Sequence, residues 1–220
     1  MRIETVAVGE PRVVPWQGRE VRTSIFKSPV AGRVVVRRHN LEGDRQSDPT
    51  VHGGEFKAVY AYSAESYAWW ERELGRALEP ANFGENLTIR DFDEAAVSIG
   101  DVFRVGDSEL EAAAPRLPCF KLGLRFGDPH MVQKFAEARR FGIYFRVVKE
   151  GALSAGDVLE RIHADPRGLP VPEIARVYFS RRRETGEAME RLAHHDRLDP
   201  AWRRWFAEKL ASPAGAEADR

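Results

Sequence analysis

Short runs of β-branched and aromatic residues, separated by Gly, Pro, Asn or Asp, dominate the first half of the chain. The clearest runs are Ile3 to Val8, Val21 to Phe26, Gly32 to Val36 and Ala58 to Tyr62. Apolar runs bounded by turn residues are typical of strands. Two later stretches, 97–103 and 155–159, each place a Gly-Asp pair between apolar residues, which suits a tight turn that introduces a strand. The pattern predicts an antiparallel barrel or sandwich.

Helical patterns interrupt these strands at two places. Ser63 can cap a helix over residues 64–74, in which aromatic and leucine positions recur three and four residues apart. Asp128 followed by a proline can start a second helix that runs to about Arg140. Two helices among many strands argue against a regular sheet of βαβ units, so the fold class is mainly β with added helices.

The pattern changes in the turn-rich stretch 165–170. Beyond it, apolar spacing predicts helices over Val171 to Phe179, Thr185 to His194 and Pro200 to Leu210. We therefore divide the chain into a β-barrel domain over residues 1–165, a C-terminal three-helix segment over 166–211 and a frayed tail over 212–220. Because the segment carries no motif residue, we predict a separable appendage outside any pocket.

Composition narrows the classes of function. The 220 residues are 43% hydrophobic and 31% charged, which is typical of a chain that buries a core rather than of a disordered one. With 34 basic and 34 acidic residues, the chain has no net field to attract nucleic acid or anionic lipid. No stretch reaches the length of an apolar membrane span, so we expect no membrane partner and a cytoplasmic location. The single cysteine agrees with a reducing compartment.

That single cysteine, Cys119, is the first candidate for chemistry. A buried core cysteine is the plain alternative, because free cysteines are often buried. However, prolines precede Cys119 and glycines follow it, which favours a shaped loop. Arg116, Lys121 and Arg125 would stabilise a thiolate if they face the sulfur. Such a thiolate is either a nucleophile or a ligand for a soft metal, and the local sequence leaves both open.

A long polar loop over residues 43–57 is the second candidate. It carries Arg45, His52 and Lys57 as cationic or titratable donors, and Gly53 and Gly54 allow backbone amides to approach an anion closely. Loops of this length without secondary structure are more often functional than shorter ones. The pattern indicates a phosphate site, although a plain polar loop with a glycine turn remains the alternative.

A turn that leads into a strand, residues 82–89, is the third candidate. Asn86 and Thr88 lie two positions apart, so their polar side chains face the same side of the strand. They are candidate wall residues of a pocket. Alternatively, Asn86 only closes the turn.

Most of the candidate residues lie in four motifs that follow one another over about 80 residues. They are Gly43-Asp44-Arg45-Gln46, then His52-Gly53-Gly54 followed by Lys57-Ala58-Val59-Tyr60, then Phe83-Gly84-Glu85-Asn86-Leu87-Thr88, then Pro115-Arg116 before Pro118-Cys119-Phe120-Lys121-Leu122. With these motifs the sequence resembles the MOSC domain family, named for the C-terminal domain of molybdenum-cofactor sulfurases, and within it the YiiM-like branch. The resemblance extends over nearly the whole chain, since that branch also carries three short C-terminal helices.

The resemblance implies a MOSC-type β-barrel that binds molybdopterin with molybdenum, in which Cys119 is the metal ligand and the catalytic residue. Related enzymes reduce N-hydroxylated compounds such as hydroxylaminopurines and amidoximes, so it also implies a small-molecule substrate of that type and a reductase as electron donor. The candidate cofactor contacts are Arg45, His52, Gly53, Gly54, Lys57, Asn86, Thr88, Arg116, Lys121 and Arg125.

Two other classes of function share these residues. A cofactor carrier or sulfur-delivery protein would use the same pocket and thiolate without turnover of its own. A regulatory binding protein would act through the C-terminal helices and would need little from Cys119.

Overall fold

A mixed eight-stranded sheet is the main element of the fold in the computed structural model, which describes residues 1–48, 53–180 and 186–211. The strands among these residues are β1 (Arg2–Val8), β2 (Arg12–Trp16), β3 (Arg19–Thr23), β4 (Ser28–Pro29), β5 (Val34–Arg37), β6 (Asn40–Leu41), β7 (Val59–Ser63), β8 (Leu87–Arg90), β9 (Val102–Val105), β10 (Ser108–Pro115), β11 (Ile143–Lys149), β12 (Gly151–Leu153) and β13 (Glu160–His163).

The large sheet has the order β13-β9-β10-β11-β7-β8-β1-β4. The sheet curls so that β1 approaches the segment before β13: Arg2 forms an antiparallel bridge with Val158, and the amide of Leu159 donates to the carbonyl of Met1 at 3.0 Å. A second sheet has the order β12-β5-β6, and β2 pairs with β3 as a separate hairpin. The prediction of a mainly β, barrel-like fold with added helices is thereby confirmed.

The helices lie between and after these strands. In the described part of the chain they are α1 (Ala64–Leu74), α2 (Phe120–Phe126), α3 (Met131–Ala138), α4 (Val171–Tyr178), α5 (Gly186–Ala193) and α6 (Pro200–Ala211), with short 3-10 turns at Glu55–Lys57 and Glu94–Ala96. The Ser63 hydroxyl accepts from the amides of Glu65 and Ser66, and Gly75 ends α1 in the left-handed conformation, as the capping pattern predicts.

One strand pair departs from the antiparallel prediction. β7 and β8 are parallel, with Ala61 opposite Leu87 and Ser63 opposite Ile89. The physical reason is α1, which returns the chain across the sheet so that β8 runs in the same direction as β7. The remaining paired strands of the large sheet are antiparallel.

The segment after Cys119 also differs from the prediction of a shaped loop, because residues 120–126 form the helix α2. The glycines suggested irregular backbone, but each has a helical use. A Cβ at Gly123 would lie 3.1 Å from the carbonyl oxygen of Asp128, so glycine allows the close approach of α2 to the next turn. Gly127 ends the helix in the left-handed conformation, with φ 69°.

The C-terminal segment forms three helices at the predicted positions, and it packs on the barrel. Ile174, Leu192, Trp202 and Phe206 belong to the same buried hydrophobic cluster as the strands of the large sheet. The division at residue 165 therefore stays a prediction, and residues 212–220 lie outside the described ranges. No helix in those ranges is long and apolar enough to cross a membrane.

Candidate functional site

A pocket with a cavity volume of about 80 Å³ opens where the hairpin, the large sheet and the start of α2 meet. Its lining includes cations, aromatic rings, hydroxyl groups and the thiol of the chain. The lining residues are Thr23, Ser24, Ile25, Lys27, Asp44, Arg45, Gln46, Ser47, Lys57, Tyr60, Phe83, Gly84, Asn86, Arg116, Cys119, Lys121 and Tyr144. Five of these are cationic and one is acidic, so the pocket suits an anion although the chain as a whole is neutral.

Cys119 lies at the junction between β10 and α2. Its thiol is free and half-buried, and its carbonyl oxygen accepts a hydrogen bond from the amide of Leu122 at 2.9 Å. Pro115 is the last residue of β10 and pairs with Ile143 of β11, which fixes the point from which the cysteine segment leaves the sheet. The thiol is therefore held at the pocket wall by regular structure on both sides.

Arg116 contributes a buried guanidinium to the same wall. It is 6% exposed and lies 5.2 Å from the ring centre of Tyr60 and 5.3 Å from that of Phe135. Burial alone would lower the pKa of Arg116, but the nearby phenol of Tyr60 and the thiol of Cys119 raise it above its ordinary value. Its Nη1 atom is buried and has no hydrogen-bond partner in the described chain. A charged donor is thus left for a guest in the pocket.

A buried ion pair forms another part of the wall. The ammonium of Lys27 lies 2.7 Å from Oδ2 of Asp44, and Oδ1 of Asp44 accepts from the amide of Gly9 at 2.9 Å. Burial lowers the pKa of Lys27, and the attraction of Asp44 opposes this shift. Asp44 belongs to the motif at residues 43–46, so that motif positions a lysine from a different part of the chain.

Lys57, Lys121 and Arg45 complete the cationic lining. The ammonium of Lys57 lies 3.5 Å from Oδ2 of Asp199, and that of Lys121 donates to the hydroxyl of Ser47 at 3.2 Å. Arg45 is largely exposed at the mouth of the pocket. Because Asp199 belongs to the C-terminal segment, that segment contacts a residue of the pocket lining.

Asn86 lines the pocket and also joins three strands. Its side-chain oxygen accepts from the amide of Tyr60 at 3.0 Å, and its side-chain nitrogen donates to the carbonyl of Ala7 at 3.2 Å. It thereby supplies hydrogen bonds where β8 begins between β7 and β1. Asn86 therefore supports the strands around it and also lies in the pocket wall, and its contact with a cofactor stays a prediction.

Thr88 has a different role from the one predicted. It is not part of the lining, and its hydroxyl donates to Oε1 of Glu85 at 3.0 Å. Glu85 is fully buried, and burial raises its pKa above the ordinary value. Oε2 of Glu85 also accepts from the amide of Phe83 at 3.2 Å. The motif at residues 83–88 therefore stabilises its own turn through hydrogen bonds to the buried carboxyl of Glu85.

The structure does not bring every predicted residue to the pocket. Gly53, Gly54 and Arg125 are not in the lining, and His52 lies outside the described residues. The guanidinium of Arg125 lies 5.0 Å from the ring centre of Phe26 and donates to Glu79 at 3.4 Å, which directs it away from the pocket.

Sequence reasoning missed several residues of the lining. Lys27, Ser24 and Tyr144 lie in segments without a recognisable motif, whereas Tyr60 ends the motif that begins at Lys57 but is not among the predicted contacts. Burial raises the pKa of both tyrosines, so their phenols stay protonated at neutral pH. The Ser24 hydroxyl is buried without a hydrogen-bond partner among the described residues, which leaves a second polar group for a guest.

Comparisons with known proteins agree with the motifs. The family model described as MOSC domain matches residues 48–160. The protein YflK of Bacillus subtilis is 39% identical over 202 residues, which is 92% of this chain and 91% of YflK. A protein named reductase from Gibberella moniliformis is 31% identical over 170 residues, 74% of this chain but only 30% of that protein.

A solved structure gives the same result for the fold. The crystal structure of YiiM from Geobacillus stearothermophilus has a TM-score of 0.80 and 30% sequence identity, and the match covers 96% of this chain and 99% of YiiM. The match includes the C-terminal helices as well as the barrel. From its motifs, its fold and these relatives, the chain belongs to the MOSC domain family and is similar to YiiM within it.

Proposed function

We propose that this chain binds a molybdenum–pterin cofactor in the pocket and reduces N-hydroxylated compounds, with Cys119 as the ligand of the metal. The observation that carries the proposal is the position of one free thiol in a pocket lined by five cations. Membership of the MOSC family and the reductase named among the relatives add support.

The residues present fit this cofactor. A molybdenum–pterin cofactor carries an anionic phosphate and hydrogen-bonding pterin edges, and it needs a soft ligand for the metal. Arg116 and Ser24 offer buried polar atoms that have no partner in the described chain, and Lys121 and Arg45 add cationic donors. Buried polar atoms in proteins usually have hydrogen-bond partners. These atoms have none in the described chain, which favours a polar, anionic ligand as their partner.

The chain's own residues have separate tasks in this proposal. Cys119 would hold the metal, while Arg116, Lys121 and Lys57 would bind anionic groups of the cofactor. When bound, the cofactor supplies the two-electron reduction of the N–O bond. The phenol of Tyr60 donates to the carbonyl of Phe141 at 2.8 Å, and the phenols of Tyr60 and Tyr144 both stay protonated and neutral at the wall. The aromatic rings beside them exclude water, which strengthens each charge contact.

The test is turnover by protein purified from a host that makes the cofactor. Wild-type protein should contain molybdenum and pterin, and with reduced methyl viologen it should convert 6-N-hydroxylaminopurine or benzamidoxime to the amino or amidine product. The Cys119→Ala variant should fold like the wild type and lose this turnover, because a half-buried thiol contributes little packing.

Other outcomes would point elsewhere. Stoichiometric zinc without molybdenum or pterin would contradict the cofactor assignment. Full molybdenum loading without turnover above Cys119→Ala would favour a cofactor carrier or sulfur-delivery protein, which needs the same pocket but no substrate.

A further inference from the structure

We propose that the surface beside Cys119 is the docking site for an acidic electron-transfer protein of the flavodoxin type. The inference rests on the proposed function. Each conversion of R–NHOH to R–NH2 and H2O consumes two electrons and two protons. Two flavodoxin hydroquinones would each supply one electron and become semiquinones, and solvent would supply the protons.

An exposed aromatic side chain marks the centre of this surface. Phe120 follows Cys119 directly and is 44% exposed, although phenylalanine is usually buried. The guanidinium of Arg19 lies 5.5 Å from the centre of its ring. An exposed aromatic ring paired with a guanidinium combines two side-chain types that are enriched at protein interfaces.

Three exposed arginines of the hairpin and the adjacent polar loop, Arg19, Arg22 and Arg45, form with Phe120 a surface that we call the arginine rim, and Glu20 is the exposed acidic residue between Arg19 and Arg22 on the same strand. Nη1 of Arg22 donates to the carbonyl of Ser47 at 3.2 Å, and Ser47 lines the pocket. The Arg45 side chain is 72% exposed and lies 3.9 Å from Glu10, which offsets part of its charge. In a chain with no net charge, this local excess of cations beside one opening is a specific feature.

The chemistry of the arginine rim favours an acidic protein as its partner. Arginine and aromatic residues are enriched at protein interfaces, and complementary charges raise the rate of encounter. Electron-transfer complexes use small contact areas, which a rim of this size can provide. The rim also lies at the opening of the pocket that would hold the group to be reduced, so a donor bound there would be next to it.

The experiment compares two electron donors on cofactor-loaded protein. Arg19→Glu and Phe120→Ser should each lower kcat/KM at least tenfold when flavodoxin hydroquinone is the donor at low salt. The same variants should keep the wild-type rate with reduced methyl viologen, which needs no docking surface. Arg104→Glu is the matched control, since Arg104 is an exposed arginine on β9 that pairs with Glu160. High salt should reduce the difference between Arg19→Glu and the wild type, because it screens exposed charges.

Four results would overturn the inference. Wild-type protein that turns over with methyl viologen but accepts no electrons from flavodoxin would refute the docking site and leave the proposed reduction intact. An equal loss in Arg104→Glu would show that the effect is not specific to the rim. Binding of nucleic acid or of a second copy of the chain, abolished by Arg19→Glu while flavodoxin reduction is unchanged, would assign the rim to another partner. No turnover with methyl viologen would remove the proposed function and this inference together.

Discussion

Arg116→Ala is the perturbation with the clearest expected effect on cofactor binding. The side chain is 6% exposed, and its Nη1 atom has no partner in the described chain. The substitution therefore removes a poorly solvated cation that the folded protein holds ready for an anion. It removes no ion pair recorded among the described residues, so the loss should fall mainly on binding and not on folding.

The magnitude follows from the burial of the guanidinium. A hydrogen bond to a charged group contributes about 1.5–3 kcal/mol when both groups are shielded from water. With about 1.4 kcal/mol for each factor of ten, the affinity for the cofactor should fall by roughly 10- to 150-fold. The contacts of Arg116 with the rings of Tyr60 and Phe135 add a smaller loss of stability, of about 0.5–2 kcal/mol.

The assay measures pterin and molybdenum that remain with the protein after gel filtration, together with the thermal unfolding of the apo protein. Arg125→Ala is the matched control, because Arg125 also contacts a phenylalanine ring but pairs with Glu79 outside the pocket. We expect Arg116→Ala to lose cofactor and Arg125→Ala to retain it. Equal retention by both variants, or loss from Arg125→Ala alone, would refute the assignment of Arg116 to the anion site.

Three further predictions concern stability. Asp44→Asn should destabilise the protein by about 3–5 kcal/mol in denaturant titrations, because it leaves the buried Lys27 ammonium without its partner; a double variant with Lys27→Met should recover much of the loss. Burial raises the pKa of Glu94 to about 7, above its unfolded value of about 4.3, so the stability that the protonated carboxyl contributes should be lost as the pH rises through 7. Glu94→Gln should therefore flatten the fall in melting temperature between pH 5 and 8. An unchanged slope would contradict this prediction. A chain that ends at residue 165 should melt at a lower temperature and be less soluble, because it exposes the barrel surface that Phe206 covers; a truncated chain with wild-type melting would establish the separable segment.

The sequence predicted the fold and part of the site because those features are local. The cap at Ser63 and the glycine after α1 act on neighbouring residues, so the pattern alone locates that helix. Arg116 and Lys121 were predicted from their distance in sequence to Cys119, and that short distance keeps them in the same wall. Lys27 could not be predicted in this way, because its role depends on Asp44, which lies 17 residues away and meets it only in the folded chain.

Two differences show why local polarity is not enough to predict a pocket. Thr88 is polar and lies on the predicted side of the strand, but its hydroxyl donates a hydrogen bond to Glu85. Arg125 has the right charge and lies near Cys119 in sequence, but one turn of α2 directs it towards Phe26. In both cases the side chain binds a neighbouring residue, and the sequence pattern does not indicate which neighbour that will be.

The spread of the lining along the chain has a consequence for the order of assembly in the cell. The pocket takes residues from Thr23 at one extreme to Tyr144 on β11 at the other, and its Lys57 is paired with Asp199. Contacts between such distant positions require the closure of long stretches of chain. A ribosome-bound chain therefore has no complete pocket until most of the protein has been synthesised. Under the proposed function, the cofactor would therefore bind to a chain whose synthesis is nearly complete.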